Sequence, residues 1–249
     1  MIKAIRNALK VKDIRERILF TLLCLAVVRL GSQLPIPGID RSKISDFLSQ
    51  ITQLSFLNAI TGGSFEQLSI FALSITPYIT SSIIMQLLTI AIPRLEEIQK
   101  EGEDGRKKIA AATRYVTVGL ALIESVAMAI GFGRSGYLEN YSVLSIIVIT
   151  LTLTAGSAFL MWIGEKITDR GVGNGISIIL LVNIVSRMPS DVINLFKTYV
   201  IGGTTVINKV IAAIMIVGII VALTIYIIVL NDAIRKIPVQ YAQKLQGRR

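Results

Sequence analysis

No histidine occurs anywhere in the 249 residues. That absence removes Ser-His-Asp and Cys-His triads, histidine metal sites and the HExxH proteases together. Cysteine occurs once, at Cys24. No disulfide can form within the chain, and a lone thiol inside an apolar run reads as a small buried hydrophobe. There is no GxxxxGK[ST] phosphate loop, no GxGD pair and no acid–base constellation. Enzyme activity, cofactors and metals are therefore not expected. The first apolar run follows seventeen mixed and charged residues, and no A-x-A-like site closes it, so a cleavable leader is not expected either. Alternating segments of about ten residues, the mark of a membrane β-barrel, are lacking.

What the chain does hold is oil. Hydrophobic residues make up 53% and mean hydropathy is +0.67. Apolar segments fall at about 18–36, 75–92, 115–133, 143–163, 174–189 and 209–230, near the ~20 residues that cross a bilayer. The expected fold class is an all-α polytopic membrane protein, a helical bundle. The charge of +10 is unevenly placed: nineteen of the 26 Lys and Arg lie in 1–17, 93–114, 164–173 and 231–249, and six in the alternate connections 37–74, 134–142 and 187–209. Arg29 completes the set. That bias puts both ends of the chain in the cytoplasm. It also divides the chain into a cytosolic segment 1–17, a first block 18–92, a cytosolic loop 93–114, spans three to five over 115–189, an outer loop with the sixth span over 190–230, and a basic cytosolic stretch 231–249. The loop 93–114, dense in both signs and in glycine, reads as solvated and mobile.

Two spans look defective. The second carries Pro77 near its start, where proline either bends a helix or begins one. The fifth opens on glycines and contains Asn183. Interrupted spans point to a transport pathway, whereas Ser, Thr and Gly also serve plain helix packing. Arg29 and Glu124 are charges inside spans, each costing roughly 2.5–3.5 kcal/mol at a helix centre on insertion scales, and they stand as a candidate pair. Before the second span, "TGGSFEQLSIFAL" reads as a short helix over Phe65 to Leu73, capped by Ser64 and Gln67, with Gly62-Gly63 as its hinge. Such a half-helix either lies at the membrane surface or tucks into a cavity. Upstream, Pro35-Ile36-Pro37-Gly38 makes a stiff turn, and Ile44, Phe47, Leu48, Ile51 and Leu54 suggest an amphipathic outer helix.

The stretches "LPIPGID", "FEQLSIFALSITPYITSSIIMQLL", "EGEDGRKK", "GEKITDRGVGNGISIILL" and "RKIPVQYAQK" with "GRR" occur in this order along the whole chain. Together they resemble the bacterial SecY family, the protein-conducting channels of the general secretion translocon. A full member of that family has ten spans in two pseudo-symmetric halves, and the six here correspond to the first half plus the sixth span. The resemblance implies a plug near 57–73, with Gly62, Gly63, Phe65, Leu68 and Phe71, folded into a pore from the outer side. It implies a pore ring of Ile75, Ile79, Leu180 and Ile184, with Leu180 where the family often has Ile. Thr80, Ser81, Gln86 and Ser125 are the implied lateral-gate residues. Arg235, Lys236, Tyr241, Lys244, Arg248 and Arg249 are the implied cytosolic contacts. Lys236 and Gln240 stand where the family usually has Arg and Asn, and Glu124 where a neutral polar residue is expected.

The function so implied is passage of unfolded secretory polypeptides across the bacterial inner membrane, with lateral release of apolar segments into the lipid bilayer. The implied partners are SecE, SecG, the SecA motor or the ribosome, signal peptides, and the remaining four spans of the channel. A different class of function remains beside it: half of an ion-coupled secondary transporter for a small solute, built on Arg29 and Glu124.

Overall fold

Proline and glycine punctuate the helices of the computed structural model, which describes residues 11–38, 58–138, 141–201 and 206–233. Helix α1 spans Lys12–Gly31. Helix α2 spans Thr76–Ala91, with Pro77 in its first turn; the proline starts this helix and does not bend it, because its missing amide falls where no intrahelical bond is due. The bend comes at the other end. Ile92 is extended before Pro93, and α3, Pro93–Lys100, leaves α2 at 101°, as the restriction on the residue before proline requires.

Helix α4 follows at once, Glu103–Arg134. The stretch 93–114, expected as a mobile loop, is thus mostly helical. Its mixed charges form pairs one turn apart, Lys100 with Glu96 and Lys107 with Glu103 and Asp104, a spacing that supports a helix. Helix α5 is Val143–Arg170, opened by the Ser142 hydroxyl accepting from the Ser145 amide. Helix α6 is Gly175–Leu195, followed by a π-helical turn Phe196–Ile201, and α7 is Val206–Asp232.

The chain divides into two units, Met1–Pro189 and Ser190–Arg249. In the first, α4 packs along α5 and against α2, and α1 packs on α5. The buried face of α4 is a row of small residues four apart: Thr113, Thr117, Ala121, Ser125, Ala129 and Gly133. Small side chains let two backbones approach closely in lipid, where apolar burial by itself gives no advantage. The hydroxyls in this row are satisfied at home: Thr113 donates to the Ile109 carbonyl at 2.9 Å and Thr117 to Thr113 at 2.7 Å. In the second unit α7 carries the most apolar window of the chain, with mean hydropathy 3.0 and no part buried.

Four described helices are long and apolar enough to cross a membrane, or five if α2 and α3 count as one bent span. The first of the six expected spans is not among them. Its apolar run, Ile18–Val28, is hemmed in by Arg15, Glu16 and Arg17 on one side and Arg29 on the other. The outer helix expected around Ile44 to Leu54 lies outside the described residues.

Candidate functional site

The segment between α1 and α2 is where sequence and structure part most. A helix is expected over Phe65 to Leu73; the residues 61–75 instead form consecutive turns, with only 58–60 helical before them. The reason is in the backbone. Leu68 and Ser74 sit at φ +42° and +52°, in the left-handed region that costs an L-residue roughly 1–2 kcal/mol. Neither residue can adopt it inside a right-handed helix. Two backbone hydrogen bonds hold the alternative: the Ile36 amide donates to the Leu68 carbonyl and the Ile70 amide to the Leu34 carbonyl, both at 3.0 Å. The stiff turn at Pro35 thereby pairs antiparallel with Ser69. Gln67 donates its amide to Gly63, not to a Ser64 cap.

The side chains of this segment serve two cores. Leu68, Ala72 and Leu73 pack with Ala121, Ala129, Ile149 and Leu153. Phe71 and Ile75 pack with Val28, Leu160, Ile167 and Ile179. The Phe71 ring lies on Gly31, where an added Cβ would run into it, and stacks on Phe159 at 6.0 Å between centroids. The Ile70 carbonyl rests in the same way on Gly156 of α5.

Its polar contacts reach α1 and α6. Gly62 and Gly63 have φ +66° and +87°, which glycine adopts without penalty. A Cβ on Gly62 would also stand 2.8 Å from the Asn183 carbonyl, so the glycine is required twice over. Arg29 donates from Nη1 to the Gly62 carbonyl at 3.4 Å. Arg187 meets the Glu66 carboxylate at 2.6 Å. Asn58 brackets the same residue, donating from Nδ2 to Oε2 at 2.5 Å and accepting the Glu66 amide on Oδ1 at 3.2 Å. Burial alone pushes the Glu66 carboxyl up; the hydrogen bonds from Asn58 and Arg187, with the guanidinium charge, outweigh it and leave the group below the ordinary carboxylate range. Deeper in, Asn183 is only 2% exposed. It donates to Ser74 Oγ at 3.3 Å, and its Oδ1 has no partner among the described residues.

Sequence reasoning missed Asn58, Glu66 and Arg187. A signal was available: the charge count places 37–74 and 187–209 on one side of the membrane, and the two segments hold a carboxylate and a guanidinium that border apolar runs. The candidate pair Arg29–Glu124 is not formed. Arg29 is turned to Gly62, while Glu124 borders a separate cavity of about 420 Å³ with Thr61, Phe65, Leu73 and Thr76.

The expected ring residues differ in setting. Ile75 is fully buried and Ile79 half-buried beside it; Leu180 is half-buried and Ile184 exposed. Of the gate residues, Thr80 and Gln86 are exposed on α2. Ser81 is buried and donates to the Pro77 carbonyl at 2.7 Å. Ser125 is buried against α5, sharing a hydrogen bond with Thr154 at 3.0 Å. Arg235, Lys236, Tyr241, Lys244, Arg248 and Arg249 lie outside the described residues.

The comparisons with known proteins agree on one family. The SecY family model matches residues 69–249. The protein translocase subunit SecY of Halalkalibacterium halodurans is 43% identical over 252 residues, covering 100% of this chain and 58% of that protein. The subunit of the same name from Bacillus subtilis is 43% identical over 98% of this chain and 57% of its own length. The chain thus spans somewhat more than half the length of these relatives. Among solved structures, a chain of Sec61 in the canine ribosome-channel complex from the endoplasmic reticulum matches 92% of this chain and 50% of its own, with TM-score 0.51 at 18% identity, a likeness of fold alone. Matched over most of its residues by the family model and over its whole length by relatives at about two residues in five, the chain belongs to the SecY family.

Proposed function

We propose that this chain forms part of the wall of a protein-conducting channel in the bacterial inner membrane, with its N-terminus in the cytoplasm, and that the segment of about 57–73, described from Asn58 on, is its stopper. The observation that carries the reading is the way this segment is held. It sits among helices α1, α5 and α6 on a few polar contacts and two apolar clusters, with backbone angles that no continuous helix would share. A segment that only packed the bundle has no need of a strained, half-satisfied seat; one that must leave and return does.

On this reading unfolded secretory polypeptides pass where the stopper sits, and apolar segments leave sideways into lipid. Ile75, Ile79, Leu180 and Ile184 form the constriction once Phe71 and its neighbours withdraw. Aliphatic side chains suit the task because they close around a chain without selecting its sequence, and an empty apolar ring resists ions by dewetting. Thr80 and Gln86, exposed on α2, are the gate residues best placed to meet a neighbouring helix; Ser81 and Ser125 contribute from within. The part of the relatives that this chain does not span supplies the rest of the wall.

The chain is a passive conduit, and the driving energy comes from a partner. SecA or a ribosome is that partner, received on the basic stretch Arg235 to Arg249, with SecE and SecG as companion subunits. The ribosome is included because the structural neighbour belongs to a ribosome-channel complex. The solute-carrier alternative required Arg29 and Glu124 to act together, and the Arg29–Gly62 contact leaves it without support.

The test is a photo-crosslinking residue at Ile79 in the assembled channel, with a secretory precursor stalled in transit. An adduct at 79 that is absent from a lipid-facing position such as Val221 is the expected result. Intact translocation with no adduct at either 79 or 184 would place the route elsewhere.

A further inference from the structure

Helix α6 buries one row of residues, Gly175, Ile179 and Asn183, each about a turn from the next. The row changes character along its length. Gly175 lies against the Gly164 carbonyl of α5, and Ile179 belongs to the apolar core with Phe71 and Ile75. Asn183 then places an amide where the pattern calls for another apolar side chain. It is more deeply buried than the two expected ring residues of its own helix, Leu180 and Ile184. At 3.6 residues per turn it stands about 60° around the helix from Leu180, and about 1.5 Å along the axis from Ile184. Its partner Ser74 directly precedes Ile75. A polar pair therefore sits beside the aliphatic ring.

The pair is incomplete. Asn183 Nδ2 donates to Ser74 Oγ at 3.3 Å, and Oδ1 meets no donor among the described residues. The nearby hydroxyl of Ser186 is turned to the Asn183 backbone carbonyl at 2.7 Å and leaves the amide oxygen unmet. Burying an acceptor without a donor is unfavourable, and plain packing would be served by alanine or leucine. Gly62 of the stopper lies directly on the Asn183 backbone. Once Gly62 moves off, the amide borders the vacated space.

An unfolded polypeptide in that space has the complementary need. Each of its residues other than proline brings a backbone N–H and C=O, and an aliphatic ring offers a partner to neither. A carboxamide can accept the one and donate to the other. A charged side chain at this place would favour some sequences over others, whereas an amide meets the backbone that every chain shares.

Building on the channel reading above, we propose that Asn183 is a contact for the backbone of the passing polypeptide, its unmet Oδ1 accepting a peptide N–H at the level of the constriction.

The test uses the assembled channel and a secretory precursor stalled by a folded domain, so that a run of alanines lies in the constriction. Protease protection then follows the rate at which the stalled chain slips back once the energy source is withdrawn. Alanines of the run are replaced one at a time by lactic acid, which puts an ester oxygen where an N–H stood. At the position level with Asn183, slipping about threefold faster is expected, the size of an average side-chain hydrogen bond in a membrane. Asn183→Leu should release the alanine run to the same degree and abolish the lactate effect. Ser74→Ala, which loosens the stopper but leaves the amide in place, should keep it. An unchanged rate at every lactate position in the unaltered channel overturns the proposal, and that arm needs no variant to fold. A lactate effect that survives Asn183→Leu also overturns it and assigns the backbone to water or another group. A photo-crosslinker at Ile79 or Ile184, in parallel preparations, separates the two levels of the reading. An adduct with no lactate effect overturns the Asn183 contact alone; no adduct at either position overturns the channel reading with it.

Discussion

The α4–α5 pair and the segment 58–75 lie side by side and share a core, yet they are held in opposite ways. The helix pair is closed by small residues at every fourth position: Thr113, Thr117 and Thr154 bond back within their own helices, Ser125 and Thr154 share one bond across the seam, and its one ion pair among the described residues, Arg114–Glu165, is partly exposed. The segment is held by ends and edges: two backbone bonds to the turn after α1, a guanidinium on Gly62, another on Glu66, and an amide with an orphan oxygen. The first arrangement has no intermediate state, because close-packed backbones either touch or do not. The second can be undone contact by contact. On the proposed reading, the lasting and the removable parts of the wall differ in the kind of contact more than in the amount of burial.

Filling the helix seam should have the largest effect. Ala129, fully buried between α4 and α5, becomes overpacked in Ala129→Leu, and destabilisation of about 1–3 kcal/mol or more is expected. It would be read as a lower unfolding midpoint of the purified assembly in detergent, with the stopper lost only when the bundle is. A mild effect, below that of the next variant, would erase the contrast.

Gly62→Ala comes second. It forces a side chain into φ +66° and against the Asn183 carbonyl, a cost of about 1–2 kcal/mol. The expected outcome is a displaced stopper on an intact bundle: a cysteine placed at Gln67, in a Cys24→Ala background, reacts faster with a soluble maleimide while the unfolding midpoint barely moves.

Glu66→Gln weakens the Arg187 contact. The pair is partly exposed, so the loss should be on the order of 1 kcal/mol. Combined with Arg187→Gln, the change in Gln67-site reactivity should fall short of the sum of the two single changes. Additive effects would mean that the two side chains do not act on each other. Acid makes the same point without mutation. The Glu66 carboxyl is held below its ordinary value in the folded state, so its contribution is complete above the unfolded pKa, near 4.3, and is lost as pH falls through the lower folded value. Because the thiolate is the reacting form, reactivity at position 67 is read relative to a free cysteine peptide at the same pH; that ratio should stay flat from neutral pH down to about 5 and rise only below the usual carboxylate range. The Glu66→Gln protein should lack that rise.

The smallest effect belongs to Ser74→Ala, which removes the acceptor of Asn183 Nδ2. Side-chain hydrogen bonds in membranes average about 0.6 kcal/mol. A loss several times larger would show that this amide, and not the charged edge, is the main tether.

Much of the bundle is legible in the residues. The second span, drawn at 75–92, is helix Thr76–Ala91, because Pro77 fits the first turn, where no intrahelical amide bond is due. The fourth, drawn at 143–163, begins at Val143 behind its Ser142 cap and overruns to Arg170, since "GEKITDR" keeps helical spacing after the apolar signal stops. The loop at 93–114 was hidden by composition: charges and glycine suggested solvent, while the i, i+4 pairing that makes it helix is a matter of spacing. At the candidate site, glycine at 62 and 63 was readable as a hinge. The polar tethers were not, because the partners of Glu66 and Ser74, Arg187 and Asn183, lie on α6, far along the chain.

The sequence by itself determined the class of the molecule and most of its membrane-capable helices, with the starts of those that open on Pro77, Ser142 and Gly175. These depend on runs of apolar residues and on prolines whose effect reaches only a turn or so. The tertiary structure alone decided the path of residues 61–75. Leu68 and Ser74 have no local preference for positive φ; they hold it because contacts with α1, α4, α5 and α6 outweigh a strain of a few kcal/mol. A local signal encodes what neighbours in sequence do to one another, and this segment takes its shape from neighbours in space.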